Sequence, residues 1–394
     1  MWASVPSGDN RRAAVNIAID ASNLLDGGGR THLVELLQAI DPVRDGDIVF
    51  HVFGSTATLD RLVQRPWLHR HSLDHVGAGQ LARWWWRRTA LPRAVRALGI
   101  DVVFAPGGLL GALPCPGVTM SRNMLPFEPA ERARYGNSPI GLRLRLLHRL
   151  QRRAFQRANG VIFLSEYARR TVLDDTGPLS GAVAVIPHGV SPRFRGTHSA
   201  RHRNSARRGF QWLYVSIIDL YKHQHHVATA VLDLADRGHE LELELVGRAY
   251  APALESLQGV LRTRDPAGKR VRYLGEVPYA DLHRRYAEAD GFVFASTCEN
   301  LPNILREALA SGMPCAVSNA GVMPEVAGDA AVYFNAEDPA DIARALEQVA
   351  GDPALRATLS SRAISRSRDW SWEQCAADTI AFLRQVSASH RRTR

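Results

Sequence analysis

The chain has 394 residues, of which 45% are hydrophobic, enough for two domains that each bury a core. A formal charge of +10 raises nucleic acid and anionic membranes as partners, yet the basic residues are arginines apart from Lys222 and Lys269, and no helix-turn-helix, zinc-finger or RNP-like pattern is present, which excludes nucleic acid from the expected partners. Cys115, Cys298, Cys315 and Cys375 make no Cys-x-x-Cys pair, no apolar stretch reaches about 18 residues, and the N-terminus lacks a signal-peptide pattern, so a reduced, cytoplasmic protein is expected.

Residues 1 to 12 read as a loose tail. Val15 to Asp20 is a first buried strand, followed by Gly27-Gly28-Gly29 and a helix from Thr31 to Ile40 with Leu33, Leu36, Leu37 and Ile40 on one side. Asp45-Gly46-Asp47 has the Asp-x-Asp form of some metal sites but precedes a strand as an ordinary turn does. Further strands are expected at Ile48 to Phe53, Val102 to Ala105, Gly117 to Met120, Val161 to Leu164 and Val183 to Ile186, with helices between most of them. Such alternation implies a parallel sheet covered on both faces.

Two segments of this half are strongly basic. Ser138-Pro139 is a cap and first-turn proline opening a helix on which Arg145, Arg149, Arg152, Arg153 and Arg157 share one face, and Leu147, Leu150, Ala154 and Ala158 the other. The apolar stripe reads as core. The basic face, together with Arg83-Trp84-Trp85-Trp86-Arg87-Arg88, suits anionic lipid headgroups at about 1 kcal/mol per charge.

Pro187-His188-Gly189-Val190 breaks the alternation, and the polar run Arg193 to Arg208 reads as a linker. A second series follows: strand Trp212 to Ile217, a helix from about Lys222 to Asp236, strands Leu241 to Val246 and Val271 to Leu274, and a helix from Tyr279 to Ala289. His223, His225 and His226 have no suitably spaced Cys or His partner, and a solvated helix face is expected rather than zinc.

Next comes the most informative stretch. A buried strand from Gly291 to Ala295 leads into a loop carrying Glu299, and a helix from Asn303 to Ser311 carries Glu307 and stops at Gly312 and Pro314. Backbone N–H groups near Leu301 to Ile304 lack intrahelical partners there and, with the helix dipole, suit a diphosphate.

At these residues the chain resembles the retaining nucleotide-sugar glycosyltransferases of family 4, also called glycosyl transferase group 1. The match is to their Glu-x7-Glu signature, followed in order by Glu307-Ala-Leu-Ala-Ser-Gly-Met-Pro314, Gly321-Val-Met-Pro-Glu325-Val and Gly328 to Phe334. The resemblance runs over about residues 15 to 385 and is densest from 210 to 372. It implies the GT-B fold: two Rossmann-like, doubly wound α/β domains facing a cleft. The expected divisions are an acceptor-side domain at 13–190, a linker at 191–208, a nucleotide-sugar domain at 209–372, and at 373–394 a helix that returns to the first domain with a short tail.

The same resemblance assigns roles. Glu299 contacts the donor sugar, Glu307 the ribose diol, and Asn300, Leu301, Pro302 and Asn303 cradle sugar and phosphate, although Pro302 offers no N–H. Lys222 stands where the family carries a phosphate-binding lysine. A frequent second cation is replaced here by Ser216, for which Arg248 is a candidate substitute. Gly28 and Gly29 face the diphosphate and Arg30 the acceptor, with His32 near by. Many relatives carry a His where this chain has Arg122, which cannot serve as a base; Arg122 and Asn123 then orient acceptor or phosphate, and His188 lines the cleft at the hinge.

The reading is a retaining, metal-independent glycosyltransferase without cofactor. It moves a sugar from a nucleotide diphosphate donor to a glycan or polyprenyl-diphosphate-linked acceptor in bacterial surface polysaccharide or lipopolysaccharide assembly, at the inner face of the membrane. Two alternatives stay open: a non-catalytic GT-B subunit that binds a partner or membrane, and a GT-B sugar-nucleotide epimerase.

Overall fold

The computed structural model describes residues 15–25, 27–76, 79–198 and 209–392. The expected tail and residues 199–208 of the expected linker lie outside them. The first sheet holds β1 (Val15–Asp20), β2 (Ile48–Gly54), β3 (Leu68–Ser72), β4 (Val102–Ala105), β5 (Gly117–Met120), β6 (Gly160–Phe163) and β7 (Ala182–Val185), in the order 3-2-1-4-5-6-7. The second holds β8 (Phe210–Val215), β9 (Leu241–Val246), β10 (Val271–Tyr273), β11 (Gly291–Phe294), β12 (Cys315–Ser318) and β13 (Ala331–Phe334), in the order 10-9-8-11-12-13. Every pairing is parallel. Strand order therefore reverses beside β1 in one sheet and beside β8 in the other, and ligands of such sheets lie beyond the strand ends at these reversals.

The strands are apolar because both their faces are covered. On β1, Ile17 and Ile19 enter one core with Val102 and Phe104, while Ala18 joins Val103, Phe53 and Trp86 on the opposite face. The helix Trp372–Arg392 leaves the second domain and lays Trp372, Cys375, Ala376, Ile380 and Leu383 on the Ile17 face of the first sheet. The chain thus crosses between the domains twice. Val190 N–H bonds Trp370 carbonyl at 3.0 Å, and Gly189 packs so tightly on Trp372 that a Cβ would lie 2.3 Å from its amide nitrogen.

The two domains also meet away from these crossings. The Glu325 carboxylate accepts the N–H groups of Glu166 and Tyr167 at 2.8 and 2.7 Å, so a side chain of the second domain caps the helix Glu166–Thr176 of the first. Tyr135 donates its hydroxyl to Asp219 at 2.6 Å, Arg134 pairs with Glu337, and Cys298 sits among Met124, Phe127 and Tyr135.

Several sequence expectations shift. The first helix is Gly27–Gln38, so the three glycines are its opening turn rather than a loop before it; Gly27 has φ +62°, which costs glycine nothing. The second-domain helix begins at Gln224, not Lys222, because His223 adopts a left-handed φ of 51° and ends the short turn Leu220–Lys222. His223 is buried against Thr297, and His226 meets the Ala336 carbonyl, so these histidines pack against the domain instead of forming a solvated face. Strands β3, β12 and β13 and the helix Gln80–Ala97 had no expectation attached to them.

The helix Pro139–Arg157 begins as expected, with Ser138 accepting the Gly141 N–H at 3.1 Å. Its apolar face is rotated from the expected stripe: Leu144, Gln151, Ala154 and Phe155 are buried, whereas Leu150 is exposed along with Leu142 and Leu146. Periodicity could not separate two rows that differ by about a quarter turn, and packing on Phe163 of β6 selects the row with Phe155.

Candidate active site

A cleft of about 950 Å³ opens between the domains, of a size that suits a small organic ligand. Gly27 and Gly28 line it after β1, Lys222 after β8, and Glu299, Asn303 and Glu307 after β11. The opening turns of two helices, Gly27–Gln38 and Asn303–Ser311, thus face it from opposite domains, and each presents N–H groups without intrahelical acceptors. The two helices are linked through His188. His32 stacks on His188 with ring centroids 4.4 Å apart, and His188 Nδ1 lies 3.3 Å from Asn303 Oδ1.

Lys222 is 4% exposed and forms an ion pair with Glu299, whose Oε1 also accepts from Ser296 Oγ at 3.0 Å. The ammonium lies over the rings of Tyr221 and Phe294 at 4.9 and 5.0 Å. This arrangement holds a cation in an apolar wall with Glu299 as its direct counter-charge and Asp219 near by.

Glu307 is buried at 6% exposure. Burial pushes its carboxyl up to about 8, while hydroxyl donation from Tyr279 at 3.0 Å and Tyr286 at 3.4 Å and the charge of Arg193 pull the other way. Tyr279 and Tyr286 were not singled out from sequence. Their separation of seven residues, two helical turns, put them on one face, which was the available signal. Arg306 was also missed: 1% exposed, it donates to the His188 carbonyl and stacks over Trp370 at 4.4 Å, and burial lowers it to about 9.

The remaining sequence candidates divide. Arg248 and Arg30 line the cleft; Arg248 lies 3.5 Å from Glu276, and Arg30 donates to the Leu25 carbonyl at 2.8 Å. Pro302 lines it too, and half-buried Leu301 packs against both cores. Asn300 reaches across the interface, donating to Ser121 Oγ at 3.2 Å while its carbonyl accepts from Ser165 at 2.8 Å. Ser216 is buried at the sheet end, its N–H bonded to Val246. Asn123 is exposed and caps a turn through Leu125 N–H at 3.1 Å. His188 is buried against Trp372, and burial holds its imidazole well below the usual histidine range. Arg122 lies against Gly29, so close that a Cβ there would be 2.4 Å from its Nη1.

Two Rossmann-like sheets with helix termini converging on the crevice define the GT-B class of fold. Solved structures agree at this level: sucrose-phosphate synthase from Thermosynechococcus elongatus aligns over 95% of this chain and 100% of its own with a TM-score of 0.76 at 17% identity. Anabaena HepE in complex with UDP-glucose aligns over 95% and 99% with a TM-score of 0.67 at 18% identity. Residues 26–194 match the family model "Glycosyltransferase Family 4" and residues 200–366 the model "Glycosyl transferases group 1". The chain belongs to the group 1 glycosyltransferases. It is 36% identical over 110 residues to the O-antigen chain mannosyltransferase B of Escherichia coli, a match that covers 28% of this chain and 29% of that protein. The chain spans less than half the length of the first curated relatives it matches.

Proposed function

We propose that this protein transfers a sugar, with retention of configuration and without a metal, from a nucleotide diphosphate sugar to a glycan or polyprenyl-diphosphate-linked acceptor. The observation that carries the reading is the convergence on one cleft of two helix N-termini with the Lys222–Glu299 pair and the buried Glu307. The helix amides and Lys222 offset charge on the diphosphate as it leaves. Glu307 accepts the ribose hydroxyls, and Glu299, held by Lys222 and Ser296, accepts hydroxyls of the donor sugar. In front-face attack the acceptor hydroxyl bonds to the anomeric carbon on the side from which the diphosphate departs. The departing phosphate oxygen takes the hydroxyl proton, so no protein base is needed.

A lipid-linked acceptor is favoured by the first domain's outer surface. Val103 and Phe163 point to the same face of the sheet, so the helices Gln80–Ala97 and Pro139–Arg157 that cover them lie on one side of it. Neither helix contains an acidic residue, and together they expose Leu81, Trp84, Trp85, Leu142, Leu146 and Leu150 among arginines. Such a surface suits reversible attachment to an anionic membrane. No helix among the described residues is long and apolar enough to cross one. The O-antigen mannosyltransferase relative makes bacterial surface polysaccharide the setting for this proposal.

Calorimetry with UDP-, GDP-, ADP- and dTDP-sugars, starting from GDP-mannose and UDP-glucose, tests the donor reading beside Glu307→Ala. One donor that binds the wild type and is lost in the variant supports it, and the anomeric configuration of the product then tests retention. No donor binding in the wild type leaves the non-catalytic alternative.

A further inference from the structure

Two hollows open on the first domain away from the main cleft. The smaller, about 170 Å³, lies just past the ends of β1, β2 and β3 and is walled by Ser22, Leu25, Ser55, Asp74, Val76 and Arg83. The larger, about 650 Å³, runs along the helix Gln80–Ala97 past Val76, Leu81, Ala82, Trp84 and Trp85. Val76 belongs to both walls, so the two are neighbours. The first has room for one small group and offers hydroxyl, carboxylate and guanidinium contacts, whereas the second has the volume and the apolar walls of a ligand groove.

Ser22 points to a ligand in the smaller hollow. It is 4% exposed and its Oγ has no hydrogen-bond partner, a costly state for a buried hydroxyl unless something in the hollow bonds it. Its N–H bonds Asp20 at 3.0 Å, and Asp20 also lies 3.4 Å from Arg87, one turn along the helix from Arg83. Strand end and helix are thereby tied, which fixes the two hollows relative to each other. Arg83 is half-buried, and among the described residues no carboxylate lies within ion-pair distance of it. Asp74, opposite in charge, accepts the Thr56 N–H at 3.2 Å, so hydroxyls entering the hollow meet donors and acceptors together. The hollow adjoins the main cleft through Leu25, whose carbonyl accepts at 2.8 Å from Arg30 in the cleft wall.

We propose that the two hollows together bind a sugar-headed lipid, its ring bonded by Ser22, Asp74 and Arg83 and its hydrocarbon chain laid in the groove between Val76, Ala82 and Trp85. The assignment of this lipid as the acceptor rests on the transferase reading. It adds to the flat attachment of the outer helices a site that draws one chain out of the bilayer, with burial of that chain supplying affinity. Ser22 and Leu25 form the end of the hollow nearest Gly27, so a glycan growing from the held ring runs toward the cleft. Head and chain are then read separately, which a flat contact with headgroups does not achieve.

Calorimetric titration of octyl glucoside, kept below micelle formation, and of maltohexaose into the wild type, Ser22→Ala and Ala82→Phe tests this, with thermal unfolding as the folding control. UDP and GDP binding checks the main cleft, and sedimentation with phosphatidylglycerol vesicles checks flat attachment. Ala82→Phe fills the groove without removing an exposed apolar side chain. The expected result is octyl glucoside binding by the wild type, weakened about fivefold in Ser22→Ala, where one hydrogen bond is lost, and on the order of tenfold in Ala82→Phe, where the chain loses its cover. Nucleotide and vesicle binding should be the same in all three proteins. If octyl glucoside follows this pattern while no nucleotide binds the wild type, the site stands and the transferase reading fails. Maltohexaose binding more tightly than octyl glucoside would mark a groove for glycan and overturn the proposal. A parallel loss of vesicle binding in Ala82→Phe would reduce the groove to flat contact and overturn it too, as would equal octyl glucoside affinity in wild type and Ala82→Phe, or none in either.

Discussion

The second domain gathers its buried apolar residues into one continuous core, from Trp212 on β8 to Ala363 near the end of the last helix it keeps. The first splits them into three clusters and leaves leucines and tryptophans on its outer helices in water. Both sheets have the same internal strand order, so topology does not cause the difference. A domain that must only hold a small ligand at its strand ends can close every other surface. One that also meets a large or lipid-bound partner keeps apolar surface outside its core.

That contrast breaks most sharply at Glu307. Glu307→Ala is expected to weaken donor binding by roughly 100-fold or more, since two hydrogen bonds to a charged group are lost at about 1.5–3 kcal/mol each; calorimetry measures it. Replacing Leu142, Leu146 and Leu150 together with Ser is expected to leave donor affinity unchanged. The same triple variant should cut the affinity for vesicles containing phosphatidylglycerol, read by sedimentation, by on the order of 100-fold, given about 1 kcal/mol for each of three partly buried leucines. Equal vesicle binding by variant and wild type would remove the functional side of the comparison.

A smaller effect follows from the raised carboxyl of Glu307. Ribose hydroxyls need the ionised form, which gains population as pH rises toward about 8, so donor affinity should rise by up to about tenfold per pH unit between 6 and 8 and level off above. Glu307→Gln should show no such slope. The sign for stability is opposite. A carboxyl whose folded value lies above its unfolded value of 4.5 stabilises fully below 4.5, and that contribution is lost as pH rises through 8. Unfolding midpoints should therefore show Glu307→Gln gaining on the wild type as pH climbs from 4.5 to 8. The smallest change expected is Tyr135→Phe, which removes the 2.6 Å bond to Asp219 between the domains at a net loss of about 1 kcal/mol; a donor KM raised a few-fold with an unfolding midpoint lowered by about 2–4 °C or less is the outcome sought.

Most strands were legible because a parallel sheet covered on two faces demands unbroken apolar runs, and Val15–Asp20 and Gly291–Phe294 are of that kind, whereas β12 and β13, four residues each, drew no strand expectation. Strand β3 escaped because His69, Arg70 and His71 give an edge strand no apolar run. The loop and helix bearing Glu299 and Glu307 were legible as one continuous segment. What surrounds them was not: Tyr279 and Tyr286 come from the preceding helix, and Arg306, adjacent in sequence, turns away to the His188 carbonyl. The bond from Asn300 to Ser121 spans 179 positions, a pairing that only the closed cleft creates.

The helix Trp372–Arg392 gives the chain a fixed order of completion. Its residues Ala376, Ile380 and Leu383 cover Ile17 and Phe104, which leave the ribosome among the first third of the sequence. The first domain is therefore begun before the second and finished after it, and until synthesis reaches this helix its sheet keeps an uncovered apolar face. The second domain, contiguous in the chain apart from its hinge contacts, can reach its full core while its elder partner is still waiting. Translation speed through the codons of this helix is then expected to govern the yield of soluble protein more than speed through the second domain.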